Sequence, residues 1–193
     1  MVDRKNFYDK VRKEFFNGKL SQSQVEGMEA ILNKWDSSRF TDLRWLAYML
    51  GTVYHETAKT MYPIEEYGKG KGRPYGSKIM HSGQTYFSPD KIYYGRGFIQ
   101  LTWYENYNLM GKLLKLPLLE NPELLLNIKV ATDVMFEGMT KGLSGKGDFT
   151  GVSLEKYFNS TTEDWVSARK IINGLDRADI IAAYGKRFLK CLI

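Results

Sequence analysis

Glu56 ends a strongly apolar stretch, and Glu65 and Glu66 follow nine and ten residues later in a polar, glycine-interrupted segment. Carboxyl groups in such unlike surroundings suit acid–base hydrolysis, glycoside hydrolysis included. One must stay protonated near neutral pH to donate to a leaving oxygen, and the other must stay ionised to activate water or attack directly. Desolvation among aromatics and the negative end of a helix dipole favour the protonated form at Glu56, whereas the polar segment keeps Glu65 or Glu66 charged. Taken alone the pattern is weak, because an arbitrary glutamate is more often a solvated surface residue.

Other chemistries find less support. His55-Glu56 begins like a zinc-peptidase motif, but position 59 is Lys and the only other histidine is His81, so no metal site is expected. No GxSxG occurs, and the single Cys191 sits near the C-terminus, which removes disulfides and argues against a thiol nucleophile. Gly68-Lys69-Gly70-Lys71-Gly72 and Gly145-Lys146-Gly147 lack the GxxxxGK[ST] arrangement that cradles phosphates and read as flexible loops. No organic cofactor is implied.

Helices must position these groups. Phe7, Val11 and Phe15 mark a helix over 3–16, and Ser21 with Gln24 forms a capping box for a second, carrying Val25, Met28, Leu32 and Trp35. Thr41-Asp42 caps a third, whose Leu43, Trp45, Leu46, Met49, Leu50 and Val53 predict burial on most sides and which delivers His55-Glu56-Thr57 at its C-terminal end. From 62 to about 95 the helical period is lost, and short strands or a hairpin are expected. Helical patterning resumes over 102–114. Asn121-Pro122-Glu123 opens a helix predicted to run to Met139, a glycine-rich connection spans 142–151, and two helices are expected over 153–173 and 177–190.

Composition narrows the partner. Of 193 residues, 28 are Lys or Arg and 22 Asp or Glu, and the net charge of +6 suits an anionic surface such as nucleic acid, membrane or an acidic wall polymer. The N-terminus lacks the apolar core of a signal peptide and no run reaches the ~18 apolar residues of a membrane span. The chain is therefore expected to fold in the cytosol without stable membrane insertion.

Longer strings sharpen the reading. His55-Glu56-Thr57, then Tyr93-Tyr94-Gly95-Arg96-Gly97-Phe98-Ile99-Gln100-Leu101-Thr102-Trp103 with Asn106-Tyr107, then Asn121-Pro122-Glu123-Leu124 and Ile171-Ile172-Asn173-Gly174, strongly resemble the family 19 glycoside hydrolases, which comprise chitinases and lysozyme-like endolysins. The resemblance covers about residue 20 to the C-terminus. It implies a mainly α, lysozyme-like α+β bilobal single domain over 1–193, with a small β patch around 62–95. It also implies Glu56 as general acid, and Gln100, Thr102, Asn106 and Asn173 as positioners of substrate or water. Glu65 is the expected second carboxylate, with Glu66 its competitor, in an inverting reaction whose water Thr102 holds. His55 and Tyr94 are candidate substrate contacts, and one or two of Tyr93, Tyr94, Trp103 and Tyr107 are expected to meet sugar. Arg96 is expected to be a structural tie. Gly174-Leu175-Asp176-Arg177 is shorter than the family's usual loop, which leaves a sugar contact by Arg177 open.

The lack of disulfides, the absence of a secretion signal and the positive charge tilt the expected substrate from chitin towards peptidoglycan glycan strands. Residues 18–27 also look like those of endolysins from phages of Gram-negative hosts. The expectation is a monomeric endolysin with no nucleic-acid partner. It would be held in the host cytoplasm until a separate holin-type lesion admits it to the periplasmic wall. A bacterial chitinase and an inactive wall-binding relative are the alternatives.

Overall fold

The computed structural model describes residues 1–143, 145 and 147–193; Lys146, in one of the two glycine-rich loops noted above, lies outside them. The helices are α1 (Arg4–Phe15), α2 (Gln22–Ser37), α3 (Leu43–Glu56), α4 (Tyr104–Leu114), α5 (Ile128–Met139), α6 (Leu154–Tyr157) and α7 (Ala178–Leu192), with 3-10 turns at Pro74–Gly76, Pro122–Leu126 and Ser167–Ile171. The two strands β1 (Ile64–Glu65) and β2 (Arg96–Gly97) pair antiparallel, Ile64 against Gly97 and Glu65 against Arg96. The mainly helical expectation with a small β patch therefore holds, and the patch joins segments some thirty residues apart rather than forming a local hairpin.

The predicted starts of the first helices rest on the expected side chains. Ser21 and Gln24 form a complete capping box, and Asp42 accepts from the Arg44 amide at 3.0 Å. Arg44 turns back on Asp42 and reaches the Asn159 carbonyl, while the Trp45 indole donates to the Phe158 carbonyl, which fixes the N-terminal end of α3. Nine of its residues, from Leu46 to Tyr54, are buried.

Two expected helices are broken. The one opening at Pro122 stops at Leu126, because the Asn127 side chain accepts from the Lys129 and Val130 amides and so starts α5 afresh. The expected helix over 153–173 yields only α6 and the Ser167–Ile171 turn. Between them Asn159 accepts from the Thr161 amide and hydroxyl, and Phe158 bridges Glu163, so the chain reverses instead of continuing. That reversal buries Phe158 and Trp165 against Tyr48.

The most extensive helix packing is between α3 and α7. They cross at Gly51 and Gly185: a Cβ on Gly51 would lie 2.7 Å from the Gly185 nitrogen, and one on Gly185 would lie 2.8 Å from the Trp165 ring. Backbone thus fills the space that side chains occupy in an ordinary crossing. Gly51→Ala is expected to cost about 1–3 kcal/mol by overpacking, lowering the thermal midpoint by on the order of 5 °C. Calorimetry of the variant checks this, and an unchanged midpoint would mean the helices can separate freely.

Candidate active site

The end of α3 is made by Thr57. Its hydroxyl donates to the Val53 carbonyl at 2.7 Å and accepts from the Met61 amide at 3.1 Å, closing a turn in which Ala58, Lys59 and Met61 all take positive φ. This reversal leads the chain into β1 and leaves His55 and Glu56 facing a cavity of about 820 Å³. The cavity is lined also by residues between Glu66 and Asn106 and by residues between Phe149 and Asp176. Its size is within the range of ligand-binding clefts.

Glu56 meets a cation in the wall. Its Oε1 lies 2.6 Å from Nη1 of Arg169, with the two side chains 15% and 3% exposed. The atoms approach without the alignment of a hydrogen bond, so the attraction is chiefly Coulombic. Arg169 also donates through Nε to the Asp176 carbonyl at 2.9 Å, and its own carbonyl accepts from the Ile172 and Asn173 amides. One buried residue thus joins the end of α3 to the loop carrying Asn173. Burial holds the His55 imidazole below the ordinary histidine range; the Arg169 and Arg177 charges add to this while Glu56 and Asp176 oppose it.

The two consecutive glutamates part company. Glu66 lines the cavity and accepts from the Tyr75 hydroxyl at 3.1 Å and the Gly95 amide at 3.2 Å. Glu65 is outside the cavity wall, against the expectation that it would face Glu56. Its carboxylate pairs with Lys69 at 2.9 Å and accepts from the Tyr94 hydroxyl at 2.8 Å, and these bonds hold it below the usual carboxylate range. The reason is alternation: successive side chains of an extended segment point to opposite faces, and the pairing of Glu65 with Arg96 gives the cavity face to Glu66.

The long string from Tyr93 to Trp103 folds on itself through reciprocal bonds between Arg96 and Leu101 and a bond from the Trp103 amide to the Tyr93 carbonyl. It brings Gln100, Thr102 and Trp103 to the cavity, where Asn106 and Asn173 also lie. The Gln100 amide nitrogen is occupied by the Ile64 and Gly97 carbonyls, and that of Asn106 by the Thr102 carbonyl. Tyr94, expected to meet substrate, is buried with its ring 3.6 Å from the Arg96 guanidinium carbon and lies outside the cavity wall. Tyr93 and Tyr107 are core residues. Arg96, 2% exposed, is a tie: it donates to the Ile92 carbonyl and the Tyr107 hydroxyl and approaches Glu123. Arg177 is exposed and outside the wall, whereas Asp176 lies in it.

Trp103 adopts φ 74° and ψ 140°, a region that residues other than glycine rarely occupy. Its ring meets Tyr75 and His81 edge-on. Arg73, Tyr75 and Arg169 line the cavity without any sequence signal having pointed to them, and His81, noted only as the second histidine, lines it too. Arg169 stands two residues before Ile171-Ile172-Asn173-Gly174, the one local signal that could have marked it.

The profile of the chitinase class I family (Glyco_hydro_19) matches residues 41–166. Endochitinase At2g43610 of Arabidopsis thaliana is 42% identical over 82 residues, 42% of this chain and 26% of its own. Endochitinase EP3 of the same plant is 37% identical over 138 residues, 64% of this chain and 47% of its own. The chain thus spans less than half the length of these relatives. Chitinase C from Streptomyces griseus HUT6037 has a similar fold, with a TM-score of 0.63 at 24% identity, covering 99% of this chain and 92% of the other.

Removing Arg169 leaves a buried carboxylate without its partner. Arg169→Ala is expected to destabilise the protein by about 3 kcal/mol, and combining it with Glu56→Gln to cost less than the sum, with a coupling of about 1–3 kcal/mol in denaturant titrations. Additive losses would mean that the pair does not interact. His55, with its folded value lowered, contributes stability that is present above the ordinary histidine range. That stability is lost as pH falls through the range, where only the unfolded chain binds the proton. The loss should be smaller in His55→Gln.

Proposed function

The chain belongs to the chitinase class I family, family 19 of the glycoside hydrolases, and from that premise we propose that it is a glycoside hydrolase that cuts the β-1,4 glycan of bacterial peptidoglycan by an inverting mechanism. The observation that carries the catalytic assignment is that Glu56 and Glu66 open onto the same cavity with Thr102 and Asn106 in its wall. Glu56 donates its proton to the glycosidic oxygen as the bond to the anomeric carbon breaks. Glu66 takes a proton from a water held by Thr102, and the resulting hydroxide equivalent adds to the anomeric carbon from the opposite face. Two carboxyls that exchange one proton each return to their starting states through solvent. Gln100 and Asn173 shape the wall, and His55 supports Glu56 from the preceding helical position.

Arg169 is the positioning partner of the acid. Its contact with Glu56, together with its bond to the Asp176 carbonyl, fixes where the carboxyl stands in the wall.

Peptidoglycan is supported by the net charge of +6, which favours an anionic polymer, and by the endolysin-like residues 18–27. On this reading the protein is a phage or prophage endolysin acting as a monomer on glycan strands. It waits in the host cytoplasm until a holin-type lesion opens the way to the periplasm, and nucleic acid is not its partner. Chitin hydrolysis is the second reading, favoured by the curated relatives, which are named endochitinases.

Turbidity loss of outer-membrane-permeabilised Gram-negative cells, run beside colloidal chitin, separates the two. Lysis by the wild type is expected, with Glu56→Gln and Glu66→Gln each losing about 10²–10⁴ in turnover. Glu65→Gln should lose less than about tenfold, its carboxylate being a partly exposed ion-pair partner. Proton NMR of fresh product should show the inverted anomer. A fully active Glu56→Gln would sink the assignment, and a dead Glu65→Gln beside an active Glu66→Gln would return the second role to Glu65.

A further inference from the structure

One end of the cavity is built unlike the rest. Tyr75, Trp103 and His81 form a row, with ring centroids 5.5 Å apart between Tyr75 and Trp103 and 5.1 Å between His81 and Trp103, both near perpendicular. The backbone of Trp103 is held in its rare conformation to place the ring there, and such strain persists where surrounding structure over-determines it, often at ligand sites. Arg73 lies in the same cavity wall, near enough to Tyr75 for its charge to act on the phenol. Its backbone is fixed, its amide donating to the Gly70 carbonyl and its carbonyl accepting from the Gly76 amide, both at 2.9 Å. Gly76 presses on the same loop so closely that a Cβ would sit 1.9 Å from the Gly70 oxygen.

Apart from Asp176, which is also exposed in the wall, the other charges have partners. Arg169 faces Glu56, Glu66 takes Tyr75 and Gly95, and Glu105 accepts from the Ser82 amide. Among the described residues the Arg73 guanidinium makes no ion pair or hydrogen bond. A cation left open in a ligand cavity suits an anionic group on the ligand. Chitin offers none, since its repeating sugar is neutral. The wall glycan carries on alternate sugars an O3 lactyl ether that ends in a carboxyl, either free or extended into a peptide with carboxylates of its own.

We propose that this end of the cavity seats the acid-bearing amino sugar, with Trp103 against its pyranose face and Arg73 on its carboxylate. The assignment rests on the peptidoglycan reading and deepens it: Arg73 determines which glycan is preferred, and Glu56 and Glu66 do the chemistry. Arg73 is exposed on the rim, so its replacement tests recognition rather than folding.

The experiment compares two strands of equal length. One is wall glycan stripped of its peptides by an amidase, which leaves free lactyl carboxylates; the other is the same glycan with those carboxylates capped as neutral methylamides. The wild type is expected to show a KM about five- to tenfold lower for the charged strand at low salt, with the preference shrinking as salt rises. Arg73→Gln should bring the ratio of the two KM values close to one, and Arg73→Lys should keep part of it. A wild type without preference, or an Arg73→Gln that retains it, overturns the assignment while leaving the peptidoglycan reading intact. If the wild type cleaves neither strand but hydrolyses a chitin oligosaccharide run in parallel, the peptidoglycan reading itself fails and the Arg73 assignment with it.

Discussion

Everything in the cavity depends on how closely α3 and α7 approach at Gly51 and Gly185. Direct backbone contact there sets the axis of α3, and the Asp42 cap with the Arg44 and Trp45 bonds sets its start. With both fixed, the last turn can deliver His55 and Glu56 to only one place. The helix is buried over most of its length, so it cannot rotate to present Glu56 elsewhere without exposing apolar surface, at about 25 cal/mol per Å². A rigid element carrying the acid is the arrangement that precise chemistry favours.

Around that fixed point the rest of the site is assembled from loops, each tied by polar bonds, and the Tyr93–Trp103 string also buries Tyr93, Phe98, Ile99 and Leu101 in the core. Thr57 closes the turn after α3, Gln100 joins β1 to the turn after β2, and Arg96 gathers carbonyls and a phenol beneath the Tyr93–Trp103 string. Arg169 performs the same service from the other side, and is the member of the set that also touches the proposed acid. The wall is therefore held by hydrogen bonds and ion pairs, which offset part of the cost of burying these groups. A cavity made this way can be polar without being loose.

The sequence made the helical starts legible because caps are local: a Ser, Asp or Asn acts on amides two or three residues away. It was less able to say where helices end or break. Pro122 opened a turn that Asn127 replaced with a new helix, and Asn159 reversed a segment whose apolar pattern alone looked continuous. The strand pair was legible as a patch of β character but not as a pairing of 64–65 with 96–97, since the partner of a short strand is chosen by tertiary packing.

By itself the sequence determined the position of Glu56 at the end of an apolar helix and the string that brings Gln100, Thr102 and Asn106 together, because these are properties of residue type and short spacing, whereas the reaction type rested on the resemblance that the longer strings carry. Only the tertiary structure decided which of two adjacent glutamates faces the cavity, since a shift of one residue in an extended segment exchanges its faces. It alone brought Arg169 to Glu56 across more than a hundred residues. It alone set Arg73 in the same cavity wall as Trp103 and removed Tyr94 to the underside of Arg96. Such neighbours are chosen by how distant segments pack, and that information is spread over the whole chain rather than written beside any of them.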